Sequence, residues 1–325
     1  MGKEHARILA SLPEAELVAV ADIDPATRDT ISRKYQVPAF ADYQDLFGRV
    51  DGVIIAVPTY AHRDVARDFL RRSIPCLVEK PLASSLAQAE ELVALSQQHG
   101  TILQVGHIER FNPALLDLEQ RSLQPHFIQG QRLSMYSGRC LDVGVVLDLM
   151  IHDLDVLLAL VRQPVVEVEA VGVSMFGGHE DIAEARLTFA NGCVATLTAS
   201  RISTKPCRRM IVYSPEGYVE IDFFKKHTLL VQPSGKARAL GWRPDQLDIS
   251  LVGLLREKLF GQWLEVREFE HNEGDQLTEE IRHFLECIRT GKRPRVAGED
   301  GRDAIALAER VLESIRWRQF RLCAA

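Results

Sequence analysis

Residues 51–81 read "DGVIIAVPTYAHRDVARDFLRRSIPCLVEKP", and their pattern decides the fold class. The run opens with Val and Ile in a short apolar block, the mark of a strand buried on both faces. A charged stretch follows, in which Val65, Ala66, Phe69 and Leu70 recur at helical spacing. "IPCLVEKP" is then a second apolar strand. A strand, a helix and a strand in so few residues form a right-handed crossover between parallel neighbours.

The alternation extends both ways. Upstream, "AELVAVADID" has strand length and "PATRDTISRKYQV" opens a helix with proline. Downstream, "SLAQAEELVALSQQHG" is a helix with a serine cap and a glycine stop, and "TILQVGH" is another strand. Residues 1–115 therefore predict a Rossmann-like parallel sheet domain. The pattern changes beyond it. "RLSMYS" and "VVEVEAVGVSMF" read as strands, and "ARLTFANGCVATLTAS" as a hairpin turning at Asn191-Gly192. "RRMIVYSPEGYVEIDFF" is another hairpin. A long helix, "VVLDLMIHDLDVLLALV", precedes the last three of these strand segments, and two helices close the chain. Residues 116–325 predict an α+β domain with a mostly antiparallel open sheet, its C-terminal helix packing back on the first domain.

At 325 residues the chain has room for two such domains. A net charge of -6 argues against a general nucleic-acid binder. No apolar run reaches the roughly 18 residues of a membrane helix. Cys76, Cys140, Cys193, Cys207, Cys287 and Cys323 show neither C-x-x-C pairs nor zinc-site spacing. Free thiols, a cytoplasmic location and no metal are the simplest reading.

The N-terminus, "MGKEHARILA", holds half of a dinucleotide motif. Gly2 fits the third glycine of G-x-G-x-x-G, and Asp22 follows at the spacing of a ribose-binding carboxylate. Such a carboxylate repels a 2′-phosphate, favouring NAD over NADP, although Arg28 softens that preference. The same residues also read as a surface helix and a strand whose aspartate caps the next helix. On the dinucleotide reading a strand and two glycines belong before Gly2, Met1 is an internal methionine of that turn, and the parallel sheet has a gap. The chain as printed is then expected to bind NAD or fold poorly.

Four segments, "VADIDP" (20–25), "AVPTYAH" (56–62), "EKPLA" (79–83) and "GHIERFNPA" (106–114), precede "GVVLDLMIHDLD" (144–155). In this order they resemble the glucose–fructose oxidoreductase/inositol dehydrogenase/MocA family of nicotinamide-dependent sugar oxidoreductases. "GHIERFNPA" and "DVGVVLDLMIHDLDVL" look most like members that oxidise the 3-hydroxyl of UDP-N-acetylglucosamine-type sugars. The resemblance implies Lys80 as a catalytic or orienting group, Asp148 as substrate-positioning and His152 as general base. It also implies Glu79 at the nicotinamide ribose and a homodimer or homotetramer formed through the second-domain sheet.

The residues themselves support this. Lys80 sits at a strand's carboxyl end, where α/β sheets bind ligands, and its charge favours a developing alkoxide. Asp148 and His152 are four apart in a helical run and share a face. Which residue takes the proton stays open. Pro58, Thr59, His62 and Pro81 flank the cofactor edge. Arg110 and Asn112 are candidates for substrate contact, with an interdomain bridge the other reading of Arg110. Arg201, Lys205, Arg208 and Arg209 form a basic cluster suited to a diphosphate, or else a solvated hairpin loop. The alternatives to a UDP-amino-sugar dehydrogenase are a free cyclitol or aldose dehydrogenase and a non-catalytic NAD- or sugar-sensing protein.

Overall fold

Strand and helix boundaries come from a computed structural model that describes residues 1–121, 123–136, 143–239, 262–271 and 274–324. Cys140 and the Cys323 side chain lie outside the described residues. The chain divides into two units, residues 1–111 with 274–310, and residues 112–273 with 311–325.

In the first unit, helix α1 (Gly2–Leu9) leads to β1 (Val20–Ala21), α2 (Pro25–Tyr35) and β2 (Ala39–Phe40). Then come β3 (Val53–Ile55), α3 (Thr59–Leu70), β4 (Cys76–Glu79), α4 (Leu86–His99) and β5 (Leu103–Gly106). Every strand pair is parallel. The strands fall into two sheets, β1–β2 and β3–β4–β5, and no described strand joins β1 to β3. β1 is far shorter than its apolar run because its partner offers only Ala39 and Phe40. The helix rules hold in detail. Asp24 caps α2 with Pro25 at its first position, Ser85 caps α4, and Gly100 ends α4 at φ 58°. Val65, Ala66, Phe69 and Leu70 of α3 are buried.

Two late segments complete this unit for physical reasons. Leu277 and Ile281 of α8 (Gln276–Thr290) pack on Ile8 and Leu12. Gly298 and Gly301, at the start of α9 (Gly298–Ala324), approach Leu103 and Val105 so closely that a Cβ at either would clash. Leu86 N–H also donates to Glu309 at 2.9 Å.

The second unit opens with α5 (Pro113–Glu119), β6 (Phe127–Leu133) and α6 (Ile151–Val161), the last preceded by a π-helical turn at Val146–Met150. β7 (Val165–Val173), β8 (Ile182–Phe189), β9 (Val194–Ser200), β10 (Cys207–Ser214), β11 (Gly217–Asp222) and β12 (His227–Pro233) follow. After α7 (Gly235–Ala239) comes β13 (Leu264–Glu270). The sheet order is β13-β12-β11-β10-β6-β9-β8-β7, antiparallel throughout except for the central β6–β9 pair. Asn191-Gly192 makes its hairpin turn, with Gly192 at φ 85°. β6 begins five residues before the "RLSMYS" reading. Its buried face is Ile128, Gly130 and Arg132, a row with little apolar signal. Alternation puts Gln129 and Gln131 on the other, outer face.

Candidate active site

In the first unit, the carboxyl ends of β3, β4 and β5 share one edge because the three strands are parallel. Pro58 is the N-cap of α3 and offers no side-chain cap, so the first-turn N–H groups, Thr59 among them, suit an anionic ligand. His62 is buried, with its ring nitrogens 2.8 Å from the carbonyl oxygens of Pro81 and Val57. It braces the turn after β3 against the turn after β4. Burial pulls its pKa down although both carbonyls favour the protonated ring.

Glu79 ends β4 and half-buried Lys80 follows it. Glu79 Oε1 accepts from His5 Nε2 at 2.7 Å. Its other oxygen lies over Gly106, where a Cβ would stand 3.1 Å from it. His107 is buried, and burial, with the nearby Lys80 and Arg110 charges, pushes its pKa down to about 3. An imidazole kept neutral beside two cations adds no further positive charge at the end of β5. The Arg110 carbonyl accepts from Arg295 Nε at 2.8 Å.

Asp22 stands at the end of β1. Its Oδ1 accepts from Asp24 N–H at 2.9 Å, while Asp24 itself caps α2. The helix-cap reading thus belongs to Asp24, not Asp22. Arg28 Nη1 donates to the Asp22 and Ile23 carbonyls. Gly2 begins α1, where an added Cβ would stand 3.8 Å from the Ala56 Cβ, at ordinary contact distance. A carboxylate at one strand end, free backbone at a helix start and glycine at α1 fit a dinucleotide.

In the second unit, Asp148 lies in the π-helical turn and His152 just inside α6; both are half-buried. The turn closes with Ile151 N–H on the Val146 carbonyl. Its wider winding brings residues four apart closer to vertical alignment than an α-turn does, so the two still share one side. Sequence reading missed the π-turn and the group that starts it. Glu180 Oε1 accepts from Val146 N–H at 3.1 Å and the Glu180 carbonyl accepts from Val145 N–H. A Cβ on Gly144 would run into that carboxylate, so glycine is required beside the cap.

The structure does not gather the basic cluster. Arg201 is buried, with Nε donating to Asp181 at 2.7 Å and Nη1 to the Val143 carbonyl. Asp181 in turn accepts from the N–H groups of Met175 and Phe176. Arg208 and Arg209 are adjacent on β10 and point to opposite faces. Arg208 is exposed over the Phe224 ring, and Arg209 pairs with Glu220 on the outer face. Asn112 is fully buried; it caps α5 through Ala114 N–H and donates to the Phe223 carbonyl. Asn112 and Arg201 thus serve as struts rather than ligand-facing groups. Among the described residues no three His, Cys, Asp or Glu side chains group as metal ligands.

The sequence model of an oxidoreductase family's NAD-binding Rossmann domain matches residues 1–107, and that of its C-terminal alpha/beta domain matches residues 139–322. The chain is 31% identical over 315 residues to UDP-N-acetylglucosamine 3-dehydrogenase of Acidithiobacillus ferrooxidans, covering 96% of this chain and 93% of that protein. It is 25% identical over 328 residues to scyllo-inositol 2-dehydrogenase (NAD(+)) of Bacillus subtilis, covering 92% and 86%. The solved structure of the Acidithiobacillus ferrooxidans enzyme GnnA superposes with a TM-score of 0.84 at 29% identity, covering 97% of this chain and 94% of that one. With both family models matched in order on the two kinds of sheet just described, the chain belongs to the GFO_IDH_MocA family of oxidoreductases.

Proposed function

We propose that this oxidoreductase uses NAD to oxidise the 3-hydroxyl of a UDP-amino sugar, its first unit holding the cofactor and its second the sugar. The observation that carries this reading is the near full-length similarity to UDP-N-acetylglucosamine 3-dehydrogenase. The Asp22 carboxylate at the end of β1 supports NAD over NADP, since a 2′-phosphate would meet like charge. When bound, NAD accepts hydride from the carbinol carbon.

The chain's own residues position the sugar and move its proton. Lys80 offers an N–H donor and a positive charge to the hydroxyl as it becomes an alkoxide. His152 is the general base, in the reading that suits an imidazole near neutral pH. Asp148, on the same side of the helix, orients the hydroxyl. Lys80→Ala and His152→Ala are expected to lower kcat by about a hundredfold or more while Asp148→Asn raises KM as well. The test is NADH formation by the full-length protein with UDP-N-acetylglucosamine. No turnover across a panel of UDP-sugars and cyclitols sinks the reading.

A second reading, a free cyclitol dehydrogenase, is favoured by one observation. Arg201 and Arg209 are held in ion pairs with Asp181 and Glu220, so two of the four cations of the proposed diphosphate site are already engaged by carboxylates. Loss of UDP-sugar affinity in Arg208→Gln, with cyclitol turnover unchanged, supports the nucleotide sugar; no change favours the cyclitol.

A homo-oligomer in the cytoplasm completes the proposal. The outer face of the eight-stranded sheet carries a shallow concavity of about 300 Å³ lined by Gln129, Gln131, Glu184, Thr196, Thr198 and Arg209, a surface that a second copy could cover. Cys76, Cys193, Cys207 and Cys287 are free thiols, in keeping with a reducing compartment.

A further inference from the structure

Glu280 lies on the inner side of α8 and is 1% exposed, yet neither carboxyl oxygen has a hydrogen-bond partner among the described residues. Its surroundings are specific. The Glu280 carbonyl accepts from Gln104 Nε2 of β5 at 3.0 Å. Two residues along β5, Gly106 supports the Glu79 carboxylate, whose Oε1 is taken by His5 of α1 at 2.7 Å. The apolar contacts of Ile8 and Leu12 with Leu277 and Ile281 press α1 and α8 together beside this group. His5 Nδ1 and Gln104 Oε1 are likewise buried without partners. Four elements thus meet at the end of β4 around two carboxyl groups and one imidazole.

A carboxylate shut from water, with no donor and a second carboxylate nearby, is doubly disfavoured. Burial and the Glu79 charge hold the Glu280 carboxyl well above the usual carboxylate range. The charged group beside it is Glu79 of β4, which His5 of α1 holds from its own side; Gln104 of β5 does not titrate. On α8 itself, Glu279 and Arg282 pair at the surface, and His283 accepts from Arg295 N–H.

We propose that Glu280 is a positioning residue: its uncharged carboxyl closes the rear of the Glu79–His5 pair, leaving Glu79 the one anion of the cluster and fixing the strand end from which Lys80 departs. This rests on the reading of Glu79 and Lys80 as cofactor-edge residues. The neutral acid is what allows Glu79 to face His5 alone. An ionised Glu280 would set a second buried negative charge beside Glu79.

Glu280→Gln in the full chain removes the proton without removing the shape. A carboxyl with a raised folded-state pKa gives stability that is complete below its unfolded pKa and lost as pH rises through the folded value. Gln has no such loss, so the gap in Tm between Glu280→Gln and the wild type is expected near zero at about pH 4 and widening in the variant's favour toward about pH 8. Infrared difference spectra should show one buried protonated-carboxyl band that Glu280→Gln lacks. NADH affinity should hold within about twofold in Glu280→Gln and fall about tenfold in Glu280→Ala and His5→Ala, where Glu79 is released. A Tm gap that does not change with pH, or an unchanged carboxyl band, overturns the inference whatever the activity. Unchanged turnover in Lys80→Ala, with the pH-dependent gap intact, overturns instead the cofactor-edge reading and the positioning role built on it.

Discussion

Asp153 and Asp181 of the second unit and Glu280 of the first are all shut from water, yet their charge is handled in different ways. Asp153 meets Arg132 in a two-pronged fork, Nε to Oδ2 at 3.0 Å and Nη2 to Oδ1 at 2.7 Å, with both side chains about 3% exposed. Asp181 holds Arg201 on one oxygen and two backbone N–H groups on the other. Glu280 has no hydrogen-bond donor among the described residues, and burial beside the Glu79 charge holds its carboxyl well above the usual carboxylate range. Fixed pairs suit a sheet that must stay rigid. A proton-bearing acid suits a site whose charge count matters more than its strength.

The comparison breaks most sharply at Arg132. Arg132→Met should cost about 3–5 kcal/mol, because the buried Asp153 loses the cation of its two-pronged fork. Urea unfolding checks it. If Arg132→Met with Asp153→Leu recovers most of the loss, the penalty is the stranded charge and not the lost contact. Asp181→Ala comes next, at about 3 kcal/mol, since it takes the carboxylate from the buried Arg201 and the acceptor from two N–H groups together. Its pH signature also separates the two kinds of acid. Burial alone would raise the Asp181 carboxyl, but the N–H of Phe176, the Arg201 side chain and the N–H of Met175 outweigh it and hold it below the usual range. Its contribution is present above the unfolded carboxylate pKa of about 4 and lost as pH falls through the lowered value. Asp181→Asn should therefore flatten the acid limb of the stability curve, while Glu280→Gln flattens the neutral and alkaline side.

Glu180 shows a third way, a carboxylate satisfied by a helix start. Gly144→Ala drives a methyl into it and should cost about 1–3 kcal/mol by overpacking, with the loss concentrated at the π-turn that carries Asp148. Hydrogen exchange at Val146 and Ile151 would register it. Unchanged protection at both would mean that Glu180 moves aside freely and that the cap does not hold the turn.

What was legible in the sequence follows the range of the interactions. Crossover units, the α2 and α4 caps and the Asn191-Gly192 turn are local, so the order of residues carries them. β6 was misplaced because one face of it is Gly130 and a buried Arg132, whose partner lies 21 residues away. The places of Lys80 just after a strand end and of Asp148 and His152 in one helical run were legible through local pattern. The buried roles of Arg201 and Asn112 were not, because a basic residue in a hairpin loop reads the same whether it faces solvent or an aspartate. Glu280 was invisible for the same reason: nothing local distinguishes it from Glu279, its exposed neighbour on the same helix.

The smallest expected effect is the control for the whole comparison. Arg209 and Glu220 approach as closely as the buried pairs, and Tyr218 hydrogen-bonds the same carboxylate. Yet Arg209 is 39% exposed in its side chain, on the outer face of the sheet. Water there screens the charges and solvates whichever partner is left behind. Arg209→Met should therefore cost only about 0–1 kcal/mol in the isolated chain, against several for Arg132→Met. Salt should weaken the Arg209 effect and leave the Arg132 effect nearly intact. Unfolding at low and high ionic strength measures both. If Arg209→Met is as costly as Arg132→Met and as indifferent to salt, the outer face is not open to water in solution, and a second copy of the chain covering the sheet becomes the simplest cause.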